Sequence, residues 1–362
     1  MKHTLKEVNL KMNAFRPGRL ALIIGGLMGL IWLCRPAAAD EARRADQPNI
    51  SFYHWRTVYD PGPTALERLE QLQVGRLYLR FFEVTVNDDG RPIPQATAVF
   101  RQKPHLPIVP VIFLENTVFN GQIKAEELAG KLWQRVMDMA EINGLELIPE
   151  LHLDCDWTRS TKTAFFEFSA ALQNRLPQGW ELAVTLRLDQ YKNHHLTGIP
   201  PAGRGVLMAY NMGQIKRPGP GNSIIDPLVA GNYLAAGGRP YPLPLDLALP
   251  IFSWAVVFDE YDRYRGLLSP VPEELDSLDH CLPLGGGMYT VIKPFFSSGG
   301  RPLPQGWRLR REESSQEDLL TVAQILRSVP IKSRQLIFYH LDDGLIKDRS
   351  REDLEAIAER LK

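Results

Sequence analysis

Residues 147–158 read Leu-Ile-Pro-Glu-Leu-His-Leu-Asp-Cys-Asp-Trp-Thr. Period-two alternation sets His152, Asp154 and Asp156 on one face of a strand and Leu151, Leu153 and Cys155 on the other. Carboxylates are costly to bury without a partner, so such a face points at a substrate, a base or a metal rather than at packed apolar side chains. The strand at 146–156 is therefore both a fold element and a candidate active-site element.

Seven similar apolar or β-branched runs accompany it, at 50–56, 76–84, 107–115, 181–189, 205–211, 246–254 and 335–342. Near-continuous apolar runs of this length suit strands covered on both faces, as in a parallel sheet. Helical patterns lie between them at 63–72, 124–142, 161–175, 315–328 and 350–361, the fourth opening on the capping pattern Ser314-x-x-Glu317. The segments after strands two and five, rich in Pro and Gly, show no helix. Eight strands with interleaved helices predict an α/β fold, an irregular (β/α)8 TIM barrel over 40–362. The excursion at 259–313 is predicted to insert a β-hairpin after strand seven, pairing 288–296 with 306–310 at the upper face.

The N-terminus has a basic leader, an apolar run from Leu20 to Cys34, and Arg35-Pro36-Ala37-Ala38-Ala39 before Asp40. This order predicts a signal peptide over 1–39 and a protein exported to the periplasm or beyond, without stable membrane insertion after cleavage. Six of the 42 basic residues and one of the 42 acidic residues lie in that leader, so its removal leaves a net charge of about −5. No basic patch or stripe of the kind nucleic-acid binding requires is present. An oxidising compartment permits a disulfide between Cys155 and Cys281. A strand position makes Cys155 a small buried hydrophobe instead.

In a (β/α)8 barrel the working site lies at the C-terminal strand ends. The candidates there are His54 and Trp55; Arg80 and Glu83; Glu115; Asp154, Asp156 and Trp157; Arg187 and Gln190; Tyr210 and Asn211; Trp254; and His340 and Asp342. Tryptophan faces offer flat apolar platforms, while carboxylates, Arg, Asn and Tyr supply directional hydrogen bonds; sugar rings need both. Each residue also has a packing reading, and Asp156 with Arg187 reads equally as a buried ion pair.

The run Asp154-Cys155-Asp156-Trp157-Thr158 resembles the fourth-strand signature of family 18 glycoside hydrolases, the chitinase-like barrels, which ends Asp-x-Asp-Trp-Glu. Met208-Ala209-Tyr210-Asn211 resembles that family's sixth-strand Met-x-Tyr-Asp. The resemblance implies that Asp156 assists catalysis and that Tyr210 and Asn211 hold an N-acetyl group. Thr158 replaces the proton-donating Glu and cannot act as an acid near neutral pH. Over most of its length the chain also resembles a family of exported bacterial proteins of unassigned function, through Phe-Tyr-His-Trp-Arg, Leu-Tyr-Leu-Arg-Phe-Phe-Glu-Val, Thr-Leu-Arg-Leu-Asp-Gln and Ala-Leu-Pro-Ile-Phe-Ser-Trp.

The leading expectation is a glycan-acting barrel, a divergent glycoside hydrolase without a cofactor. Its carboxylate pair would join Asp154 or Asp156 to a proton donor among Glu83, Glu115 and Asp342. A separation of about 5 Å would suit a retaining mechanism, and roughly 6.5 to 9.5 Å an inverting one. The alternatives are a non-catalytic carbohydrate-binding barrel and a metal-dependent hydrolase using His152, Asp154, Asp156 and His340.

Overall fold

The computed structural model describes residues 49–121, 123–234, 240–329 and 335–362. The expected leader, 1–39, lies outside the described residues. Eight parallel strands close into a ring: β1 (Asn49–His54), β2 (Leu77–Val86), β3 (Ile108–Leu114), β4 (Glu150–Asp154), β5 (Glu181–Arg187), β6 (Arg204–Met208), β7 (Leu245–Pro250) and β8 (Gln335–Tyr339). Each pairs with its sequence neighbour, and β1 bonds to both β8 and β2. All eight overlap the runs expected of them, with ends displaced by up to a few residues. The fourth starts later than the apolar run does, because Pro149 has no N–H to donate; ahead of it Leu147 makes only an isolated bridge to Ile108.

Helices α1 (Pro63–Gln71), α2 (Ala125–Asn143), α3 (Lys162–Arg175), α4 (Pro227–Leu234), α5 (Gln316–Arg327) and α6 (Arg351–Arg360) cover the ring. Gly144, at φ 57°, ends α2 in the left-handed conformation that glycine adopts without steric cost. Beyond β2 the chain forms an added antiparallel strand, Pro92–Gln95, instead of a helix. Beyond β5 it makes only the short turns Leu188–Lys192 and His194–Thr197. The cap of α5 falls one residue later than the sequence pattern suggests. Ser315 accepts from Asp318 N, whereas Ser314 donates its hydroxyl to Phe252 O.

The insertion after β7 contains the expected pairing, Met288–Val291 against Arg308–Glu313, within a larger five-stranded antiparallel sheet. It begins at Ser253 rather than 259. The apolar run read as one seventh strand is two, Leu245–Pro250 in the ring and Ser253–Phe258 in the insertion, with the chain turning at Ile251 and Phe252 between them. A small core of its own, including Ala255, Val257, Leu275, Cys281, Val291 and Leu309, holds this sheet. Cys155 and Cys281 are both buried and free, so no disulfide joins them.

Candidate functional site at the barrel mouth

Strand alternation builds the barrel interior in layers. At the N-terminal end, Arg204 faces Glu181 and Asp246 at 3.5 Å each, and Arg76 lies 3.6 Å from Glu150. Burial chiefly, with the nearby charge of Asp246, pushes the Glu150 carboxyl up to about 7. This end of a barrel serves stability. Above it, Tyr53 hydroxyl and His152 Nε2 lie 3.3 Å apart, with the Tyr78 ring edge-on to both rings. His152 is wholly buried, which lowers its pKa to about 3 and keeps the imidazole neutral.

The next layer opens to solvent. Tyr339 stands at its centre, packed on Trp55 and Tyr210 at 5.5 Å and on Phe252 at 5.6 Å between ring centroids. Phe113 closes on Trp55 at 6.3 Å, and Trp254 on Phe252 at 5.1 Å. Over the Trp55 ring sits the Arg80 guanidinium, 5.7 Å from its centroid, which also donates to Thr57 Oγ1 and pairs with Glu83.

Asp154 and Asp156 meet this aromatic wall from β4. As expected, His152 and Asp154 face inward and Asp156 lies nearest the mouth. The Asp154 carboxylate accepts from Thr185 Oγ1 at 2.6 Å. Burial raises its pKa to about 7; the Thr185 bond opposes this, while the charge of Asp156 adds to it. Asp156 lies 3.2 Å from Arg187 Nε, with both side chains about half exposed. The buried-pair reading of these two is thereby set aside. One carboxyl thus holds its proton toward neutral pH beside another carboxylate paired with a cation.

Several expected site residues do other work. Trp157 is 1 % exposed, stacks on Phe165 and donates its indole N–H to Thr197 O, so it presents no face to a ligand. Gln190, also buried, accepts from Arg187 N and donates to Trp157 O, bracing the loop that carries Asp156. The carboxylate of Asp342 caps the turn Asp343–Ile346 and pairs with Arg56 at 2.6 Å, which keeps it from the mouth. Glu83 is committed to Arg80, and Glu115, half-buried at the end of β3, accepts from Thr117 Oγ1. Asn211 is exposed in the left-handed region, φ 54°, beside the buried Tyr210. Trp254 is partly exposed, its indole N–H held by Glu312 at 2.7 Å.

His54 and His340 alternate with Trp55 and Tyr339, so they face away from the barrel axis. They border a cleft of about 1060 Å³ between the ends of β1 and β8 and the root of the insertion. The metal reading fails on the same geometry, since His152 lies under the mouth and His340 beside this cleft. Among the described residues, no group of three or more His, Cys, Asp or Glu is placed to hold a metal ion.

The sequence reading missed Phe113, Thr185, Phe252 and Tyr339 as mouth residues, and Tyr53 in the layer beneath them. Parity counted from Asp154 and Trp55 would have found Thr185 and Tyr339. It missed Glu312 as well, which accepts from Ser223 N, Ser223 Oγ, Trp254 and Arg310. Arg310 in turn donates to the carbonyls of Ile215, Arg217 and Gly219, so this buried pair fastens the loop after Asn211 to the insertion.

No protein-family model and no curated protein sequence matches the chain. Among solved structures, it is similar to the spore cortex-lytic enzyme SleL of Bacillus cereus, with 13 % identity over 87 % of this chain and 75 % of that one, TM-score 0.48. A chitinase from Chromobacterium violaceum has 13 % identity over 86 % and 98 % of the two chains, TM-score 0.47. The C-terminal domain of a putative chitinase from Desulfitobacterium hafniense has 11 % identity over 88 % and 100 %, TM-score 0.49.

Proposed function

We propose that the chain is an exported glycan-acting barrel that binds a carbohydrate at the mouth and cleaves it with the Asp154–Asp156 pair. The observation that carries this reading is the pair's opposed environments on one strand. Asp154 is half-buried and retains a proton up to about pH 7, whereas Asp156 is half exposed and paired with Arg187. Neighbouring carboxyls separated in this way suit an acid and a base. The rings of Trp55, Tyr210, Phe252 and Tyr339 add the apolar faces that sugar C–H surfaces require. Glu83 and Asp342 are each committed to an ion pair and Glu115 accepts from Thr117 Oγ1, whereas the Asp154 carboxyl is pushed up to about 7 at the mouth, so Asp154 is taken as the proton carrier.

Thr158 favours a second reading, glycan binding without turnover. It is exposed, where the resemblance implies an acid, and its hydroxyl lies 2.8 Å from Ser160 Oγ and 3.2 Å from Thr161 Oγ1. Titration of the purified chain with chitin and peptidoglycan fragments, with product analysis by mass spectrometry, tests both. New reducing ends lost in Asp154→Asn support the hydrolase. Binding weakened by Asp156→Asn, without products from the parent chain, supports the binder. Absence of binding to either glycan class overturns both.

A further inference from the structure

Asp156 stands beyond the sheet that carries it. The last register partners of β4 are Phe113 with Asp154 on the β3 side and Leu153 with Val184 on the β5 side, so Asp156 lies two residues past the ladder. Arg187 does not, because it is still in register with Met208 of β6. Past the end of a ladder the strand no longer dictates where a side chain points. A half-exposed ion pair contributes too little to fix that direction by itself. The 3.2 Å separation of the pair therefore needs another support.

Gln190 supplies it through main-chain atoms on both sides of the pair. Its Oε1 accepts from Arg187 N at 2.9 Å, and its Nε2 donates to Trp157 O, one residue after Asp156, at 3.1 Å. The first bond alone would be the ordinary use of a glutamine in the first turn of a helix, reaching back to the N–H of the cap residue. The second belongs to no cap, since it joins residues 33 apart in the chain. Two more bonds close a ring: Trp157 Nε1 donates to Thr197 O at 3.1 Å, and Thr197 Oγ1 donates to Gln190 O at 3.3 Å. All three residues are buried, where water does not compete for these bonds. A carboxamide offers a donor and an acceptor together, whereas a carboxylate lacks the donor and a thioether supplies no N–H or O–H at all.

We infer that Gln190 is a positioning residue, whose carboxamide ties the loop bearing Asp156 to the strand end bearing Arg187 and so sets carboxylate against guanidinium at the mouth. It acts through the pair and not on a ligand. Its consequence for glycan binding rests on the mouth being a glycan site, but the pairing itself does not.

The Arg187 Nε–H resonance, assigned by its loss in Arg187→Lys, reports the pairing without any ligand. In the unmutated protein it is expected to keep its paired position up to about 0.5 M salt, which would screen an exposed pair that nothing else holds. Gln190→Met should move it to the position it takes in Asp156→Asn. Thr197→Val removes a neighbouring bond of the ring while leaving both carboxamide bonds, and should leave the resonance in place.

Calorimetry with the β-1,4-linked tetramer of N-acetylglucosamine tests the consequence. Gln190→Met should weaken binding about threefold or more, and should add no further loss in a chain that already carries Asp156→Asn, because residues acting as one unit are not additive. A resonance unmoved by Gln190→Met, one moved as far by Thr197→Val, or fully additive losses would overturn the positioning role. So would collapse of the parent's resonance in salt, which decides the matter if Gln190→Met fails to fold. A parent chain that does not bind the tetramer overturns the mouth reading for this glycan, and the resonance then judges the pairing alone.

Discussion

Asp156 and Arg187 face one another across the ends of β4 and β5, carboxylate to guanidinium at 3.2 Å, with each side chain about half in water. Exposed pairs of this kind contribute about 0 to 1 kcal/mol. Asp156→Asn should therefore cost less than about 1 kcal/mol, measured as a small shift in calorimetric midpoint, and should abolish glycan turnover or weaken binding. A loss several times larger would mean that the pair anchors the fold, and the functional role of Asp156 would fail.

The buried carboxyl of Glu150 and the half-buried one of Asp154 set a pH dependence. Both have folded pKa values near 7, well above the ordinary carboxyl range of about 4 to 4.5. A raised folded value means that the native state holds protons the unfolded chain has released. Their stabilising contribution is complete below about pH 4 and is lost as pH rises to about 7. Each is worth on the order of 3 kcal/mol across that window, at 1.36 kcal/mol per unit. Glu150→Gln and Asp154→Asn should each flatten the slope of denaturation free energy between pH 4 and pH 7. A slope unchanged in both variants would show that neither group carries the shift.

Glu312 is predicted to be the anchor of the mouth's outer wall. It is 2 % exposed and satisfies Arg310, Ser223 and the Trp254 indole together. Glu312→Gln leaves the Arg310 guanidinium buried without its counter-charge, a loss of about 3 to 5 kcal/mol. Limited proteolysis should then cut within 213–223 in the variant well before the parent chain. Equal cutting rates would show that the loop is held by other means.

Much of this architecture was legible because a parallel ring buries both faces of each strand, leaving eight apolar runs separated by turn residues. The insertion's start was not, since Ser-Trp-Ala-Val-Val-Phe continues the apolar pattern beyond Pro250 and no composition change marks the turn. The site was legible where parity was applied, at His152, Asp154 and Asp156. It failed where residues were gathered by nearness to a strand end. His54 and His340 are at such ends, but one residue out of phase with Trp55 and Tyr339, and period two sends them to the other face. Trp157 lies past the end of β4, where the ladder no longer dictates direction and packing against Phe165 does.

Thr158 provides the sharpest separation of hydrolase from binder. It is exposed on the loop after β4, and a larger polar side chain there displaces no packed group. Losing its hydroxyl contacts to Ser160 and Thr161 should cost about 1 kcal/mol or less. Thr158→Glu places a carboxyl two residues beyond Asp156, where the family resemblance puts the proton donor. If the mouth still binds glycan in cleavable register, this variant should release new reducing ends at least about tenfold faster than the parent chain, the effect of about 1.4 kcal/mol in transition-state stabilisation. Its rate should fall as pH rises through the titration of the introduced acid. A variant that binds N-acetylglucosamine oligomers as tightly as the parent and gains no rate would mean that the bound chain does not present its glycosidic oxygen to residue 158, and cleavage in that register would be excluded.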